Sequence, residues 1–136
     1  MSFRGYKTFY YWLKAKLFNL LDLPGRIRCY FQRANRGYAD SDLWNFDYYL
    51  ATIIIEGLEK LKKNQHILPT WELSTEPEEV AQKRWNDIMD QMIVAFKYAK
   101  LYIDMEIPPK EWEEKYKPDY DKGMELFKEH FFSLWD

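Results

Sequence analysis

Four carboxylates stand at a spacing that could hold a divalent cation. Glu56 and Glu59, then Asp87 and Asp90, form an ExxE…DxxD pattern with each pair one helical turn apart. A hard cation needs several carboxylate oxygens converging on one cavity, and two facing helices can supply them. Helical phase opposes this, because each pair faces away from the apolar centre of its own helix, about 130–170° away for the glutamates. Solvated faces are the expectation, and no metal site is assigned. His66 and His130 are the only histidines. His130 borders an apolar stripe and is expected at the edge of the core, while His66 has no Ser or Cys placed beside it as a nucleophile. No phosphate-binding loop, GxSxG or HExxH occurs. The residues assign no catalytic group and no cofactor, and a non-enzymatic protein is expected.

A second constellation surrounds Asp47 in "RGYADSDLWNFDYYLA", residues 36–51. If one helix starts at Asp40 or Ser41, Asp47 falls about 40° from Leu43, inside the apolar stripe and away from the helix end. A carboxylate buried there must be paired. Arg33 and Arg36 precede the helix, with Arg28 further back, so a structural ion pair is the expected role. The alternative is a polar-aromatic pocket in which Arg33, Arg36, Trp44, Asp47 and Tyr48 face a ligand.

The elements that must position these residues are helical. At 100° per residue, four segments carry an apolar stripe. The first spans residues 6–21 with Tyr6, Phe9, Tyr10, Leu13, Leu17, Leu20 and Leu21, and "LPG" at 23–25 closes it. A short helix follows with Ile27, Tyr30, Phe31 and Ala34. The third runs from the Asp40 or Ser41 cap to about Lys63, burying Leu43, Phe46, Leu50, Ile54, Gly57, Leu58 and Leu61. "STEPEE" opens the fourth, whose stripe is Ala81, Trp85, Ile88, Met89, Met92, Phe96, Ala99 and Ile103. "IPPKEWEEKYKPDYD" is a Pro-punctuated connector with room for one turn around Trp112. A last helix from about Asp121 buries Met124, Phe127, Phe131 and Leu134. The fold expected is all-α, a compact bundle of about four main helices plus short ones. It forms a single helical domain over 1–136, with basic, aromatic helices in 1–35 and a helical core in 36–136.

Composition sets outer bounds. With 136 residues, 47% hydrophobic and 19% aromatic, the chain can build one core. The single Cys29 cannot form an internal disulfide, which points to a reducing compartment. Lys14 and Lys16 interrupt the N-terminal apolar stretch, so a signal peptide is not expected, and no charge-free run is long enough to span a membrane. Charge is lopsided: residues 1–40 hold eight basic and two acidic side chains, a net of +6, and the remainder twelve and twenty, a net of −8. Tyr11, Trp12 and Phe18 lie off the first helix's stripe, placing aromatic groups where water is expected. Such a face suits a protein contact; neither a nucleic acid nor a membrane is the expected partner.

Two resemblances bear on function. The ExxE…DxxD pattern resembles the ExxE…ExxD magnesium motif of all-α nucleotide pyrophosphatases of the MazG type, departing from it at Asp87, and implies hydrolysis of nucleoside triphosphates. "RGYADSDLWNFDYYLA", the "W…IMDQMIVAF" helix and the closing "LF…FFSLWD" resemble a family of small bacteriophage and prophage proteins of uncharacterised function, over about residues 33–136. That resemblance implies a phage product in a bacterial cytoplasm, acting by binding a host or phage protein in host takeover or anti-defence. The expected function is such a binding protein, with a possible homo-oligomer and with Trp12, Arg33, Arg36, Trp44, Asp47 and Tyr48 as its contact residues. A sponge for an anionic nucleotide and the pyrophosphatase are the alternatives.

Overall fold

The computed structural model describes residues 13–18, 20–64 and 77–135. These are organised as an all-α fold with helices α1 (Leu23–Arg36), α2 (Phe46–Asn64), α3 (Glu78–Ile103) and α4 (Lys117–His130), joined by short helical turns. Two compact units meet in sequence at Asn45 and Phe46.

The first unit is built around one turn. Residues 13–18, 20 and 21 are helical, and "LPG" does not end the helical run. Pro24 lies in the first turn of α1, where its missing N–H costs nothing. α1 stops at Gly37, whose φ of 86° is left-handed and whose N–H bonds the Arg33 carbonyl at 2.9 Å. Asp40–Asn45 then forms a 3₁₀ helix. This turn is tied to the polar side of α1, so "YADSDLWN" belongs with the N-terminal unit. The division therefore falls about ten residues after the expected start of the core.

The second unit is a small bundle with α3 at its centre, packed against both α2 and α4. The α3 stripe is as expected: Ala81, Trp85, Met89, Met92 and Phe96 are buried, joined by Ile93 and Ala95. α2 is turned relative to expectation. Of the expected stripe, Leu58 is buried and Ile54 and Leu61 pack on the core, while Leu43, Phe46, Leu50 and Gly57 are exposed and Ala51 and Ile55 are buried in their stead. The 3₁₀ helix advances about 120° per residue rather than 100°, so a phase carried from Asp40 misses the true face of α2.

α4 begins four residues before the expected start, with Pro118 in its first turn. Ahead of it, Trp112–Tyr116 forms a π-turn in which the Lys117 N–H reaches the Trp112 carbonyl. Pro118 supplies no N–H, and its ring crowds the carbonyl four residues back, a conflict that the wider turn relieves. Of the expected α4 stripe, Met124, Phe127 and Leu134 pack on the core while Phe131 is exposed. His130 is buried and meets Trp85 edge to face at 5.4 Å. Gly123 is also buried. A Cβ there would overlap Ala95 Cβ and the Gln91 carbonyl oxygen, so α4 and α3 approach to backbone distance at this point.

Candidate functional site

The buried carboxylate is Asp42, not Asp47. Arg33 donates through Nε to Asp42 Oδ2 at 2.9 Å and through Nη2 to Oδ1, a two-pronged pair that fixes geometry as well as charge. The Ala39 N–H donates to the same Oδ2 at 2.7 Å. Arg33 lowers the Asp42 carboxyl below its ordinary value, since its hydrogen bonds favour the ionised form and outweigh the opposing effect of burial. Asp40 is lowered too, first by its hydrogen bond from Arg36 and then by Gln32. Gln32 donates to Asp40 Oδ2 at 2.7 Å and accepts from the Asp40 N–H at 3.0 Å. Arg36 also donates to the Tyr38 carbonyl at 3.0 Å and lies over the Tyr38 ring. "RGYADSD" is therefore a helix stop locked by the arginines that precede it. Arg33 and Arg36, expected to hold a ligand or Asp47, have their guanidinium groups bonded to carboxylates of this turn.

Asp47 is exposed in the first turn of α2, where its Oδ1 accepts the Tyr48 N–H at 2.9 Å. A carboxylate there satisfies a helix-start donor and sits at the favourable end of the helix dipole. The expected arginine pair in the core is thus replaced by an N-terminal role. The α helix starts at Phe46, six residues later than expected, which puts Asp47 at an end after all.

The other expected contact residues are dispersed in role. Trp44 is exposed in the first unit. Tyr48 is half-buried in the second, with the Lys100 ammonium 4.4 Å from its ring centroid. Trp12 and His66 lie outside the described residues. Among the acidic four, Glu59 accepts from Lys97 at 2.7 Å and Asp90 from Lys62 at 2.6 Å, each tying α2 to α3. No group of three or more His, Cys, Asp or Glu side chains among the described residues could hold a metal ion.

One feature of the second unit could receive a partner. A groove of about 570 Å³ runs between α2, α3, α4 and the π-turn. Asp47, Leu50 and Ile54 of α2 line one side, and Phe96, Ala99, Tyr102 and Ile103 of α3 the other. Trp112 closes it, with its ring 4.5 Å from Tyr102 and 5.3 Å from Tyr120. Phe127 packs edge to face on Phe96 at 5.0 Å in the floor. The lining is apolar and aromatic with one carboxylate, Asp47. Such a surface binds by burial of apolar groups, and the acid orients a donor or cation at the rim.

The sequence signal for this groove was the clustering of Tyr102, Trp112 and Tyr120 around a connector that should otherwise be polar. Comparison of the chain with models of protein families, with curated proteins and with solved structures gives no match.

Proposed function

We propose that the chain is a non-enzymatic binding protein that takes an apolar segment of a protein partner into the groove of its second unit. The groove itself carries the reading: an aromatic floor and walls with Asp47 as the only charged residue among the described lining residues. Burying two or three partner side chains there contributes about 1.5–3 kcal/mol each before the cost of association. Asp47 favours a partner segment that carries a lysine or arginine beside its apolar residues. The phage resemblance of the sequence supports a host or phage protein as that partner, in a bacterial cytoplasm.

Native mass spectrometry of the protein purified from bacterial cells tests this. The expected result is a stoichiometric protein partner on the wild type, lost in Leu50→Glu and retained in Phe31→Ser. A retained nucleotide in place of a protein would support the sponge instead. Hydrolysis of nucleoside triphosphates with magnesium, abolished by Glu56→Gln, would support the pyrophosphatase.

A further inference from the structure

α1 is an amphipathic helix set the wrong way round for a core element. Its polar side is the one that packs. Cys29, Gln32, Arg33 and Arg36 share one face and bond Ser41, Asp40, Asp42 and Asp40 in turn. Its apolar side, Leu23, Ile27, Tyr30, Phe31 and Ala34, falls within about 100° of arc, and none of these residues is buried. Leu23 is 49% exposed, Ile27 47%, Tyr30 70% and Phe31 65%. Exposed apolar area in one continuous strip marks an interaction surface.

Charge identifies what covers it. Arg26 and Arg28 border the strip, about 40–60° beyond its two edges. The strip carries no carboxylate, and on its Arg28 border the guanidinium lies 3.4 Å from Asp40 Oδ2, with both side chains more than half exposed. Asp22 projects from the opposite side, where Asp40 and Asp42 are already engaged with arginines. Like charge on both edges opposes the pairing of two copies through this face, because helix partners want opposite charges along the seam. It suits an anionic plane: apolar side chains enter the acyl boundary while the guanidinium groups remain at headgroup level. A shallow recess lined by Arg28, Phe31, Gln32, Asn35 and Arg36 opens along one border, within reach of a phosphate. Among the described residues no helix is long and apolar enough to cross a membrane, so a bilayer would meet α1 along its surface. We infer that the apolar face of α1, edged by Arg26 and Arg28, adsorbs the protein to anionic lipid bilayers.

The test uses the full chain with vesicles of phosphatidylcholine alone and of equal parts phosphatidylcholine and phosphatidylglycerol, followed by flotation. The wild type is expected to float with the mixed vesicles and not with phosphatidylcholine. Arg26→Gln should weaken binding about five-fold, equivalent to the about 1 kcal/mol of one cation near an anionic surface. The double variant Tyr30→Ser, Phe31→Ser should weaken it at least ten-fold, with an unchanged urea midpoint showing that it folds. Leu50→Ser, in the groove, should bind as the wild type does. Absence of binding to the mixed vesicles, equal binding to both kinds, or indifference to the α1 variants overturns the inference. So does a lipid-free dimer in sedimentation equilibrium that Ile27→Asp dissociates, which would give the face to a second copy.

Discussion

Replacing Gly123 by alanine tests the close approach of α4 to α3. The added methyl would overlap Ala95 Cβ and the Gln91 carbonyl oxygen, with the Gln91 carbonyl carbon 3.2 Å away. Two of these obstacles are backbone atoms inside α3, so no rotamer change relieves them, and the helices must separate by about 1 Å. Overpacking of this kind costs about 1–3 kcal/mol, and a rigid obstacle belongs at the upper end. Alanine's better helix propensity returns about 1 kcal/mol. The expected net loss is about 2 kcal/mol, a drop of about 1 M in the urea midpoint at a typical slope for a domain of this size. Gly57 supplies the control. It is an exposed glycine in α2, and a Cβ there meets nothing within 4 Å, so Gly57→Ala should raise the midpoint by the equivalent of about 0.5–1 kcal/mol. The same substitution thus acts in opposite directions at two helical sites. Should Gly123→Ala prove as stable as the wild type, the backbone-distance contact between α3 and α4 would be refuted.

Four other outcomes follow from the structure. Asp42→Ala is expected to cost about 1–2 kcal/mol, the value of a charged hydrogen bond discounted for the half-exposed Arg33, whereas Asp47→Ala costs about 1 kcal/mol or less; amide hydrogen exchange at Ala39 should show the loss in the first variant only. Because the folded Asp42 carboxyl lies below its ordinary value of 3.8, its stabilisation is complete above about pH 5 and disappears as pH falls through and below 4, and protection of the Ala39 amide, its exchange taken relative to the intrinsic rate at each pH, should fall over that acid range in the wild type and stay constant in Asp42→Ala. Met105, left-handed at φ 57° after α3 and 90% exposed, should accept glycine with a gain of about 1 kcal/mol in thermal or urea unfolding. Glu59→Gln and Asp90→Asn should each cost below about 1 kcal/mol, and less at 0.5 M salt, since both pairs are half-exposed.

Long, uninterrupted periodicity was readable, and departures from 3.6 residues per turn were not. α3 runs 26 residues without a phase break, so Trp85, Met89, Met92 and Phe96 could be placed from spacing alone. A single 3₁₀ segment before α2 was enough to misplace Asp47 and to credit Leu43 and Leu50 with burial. The π-turn before Pro118 likewise hid the true start of α4. Gly123 gave no signal, because a glycine that permits close helix approach resembles any other in a list of residues. The arginines were expected to pair with Asp47, whereas Arg33 bonds Asp42 and Arg28 and Arg36 bond Asp40. The groove was the least readable feature, since its walls come from three helices and a connector whose pairing no local pattern encodes. The apolar stripe of α1 was visible at once, yet its outward orientation is set by the polar ties on the opposite face, which periodicity does not encode.

The lock at the end of α1 has a bearing on the order of folding. Its side-chain ties join residues 4 to 12 positions apart. The ties between α2 and α3 span 28 and 38 positions. Closing a short loop costs less chain entropy and takes on the order of 10–100 ns for about ten residues, whereas remote pairings set the pace of folding. Residues 28–42 are therefore able to form their turn as a nascent chain, before the partners of α2 have been synthesised. On a ribosome this stop would form ahead of the pairing between α2 and α3.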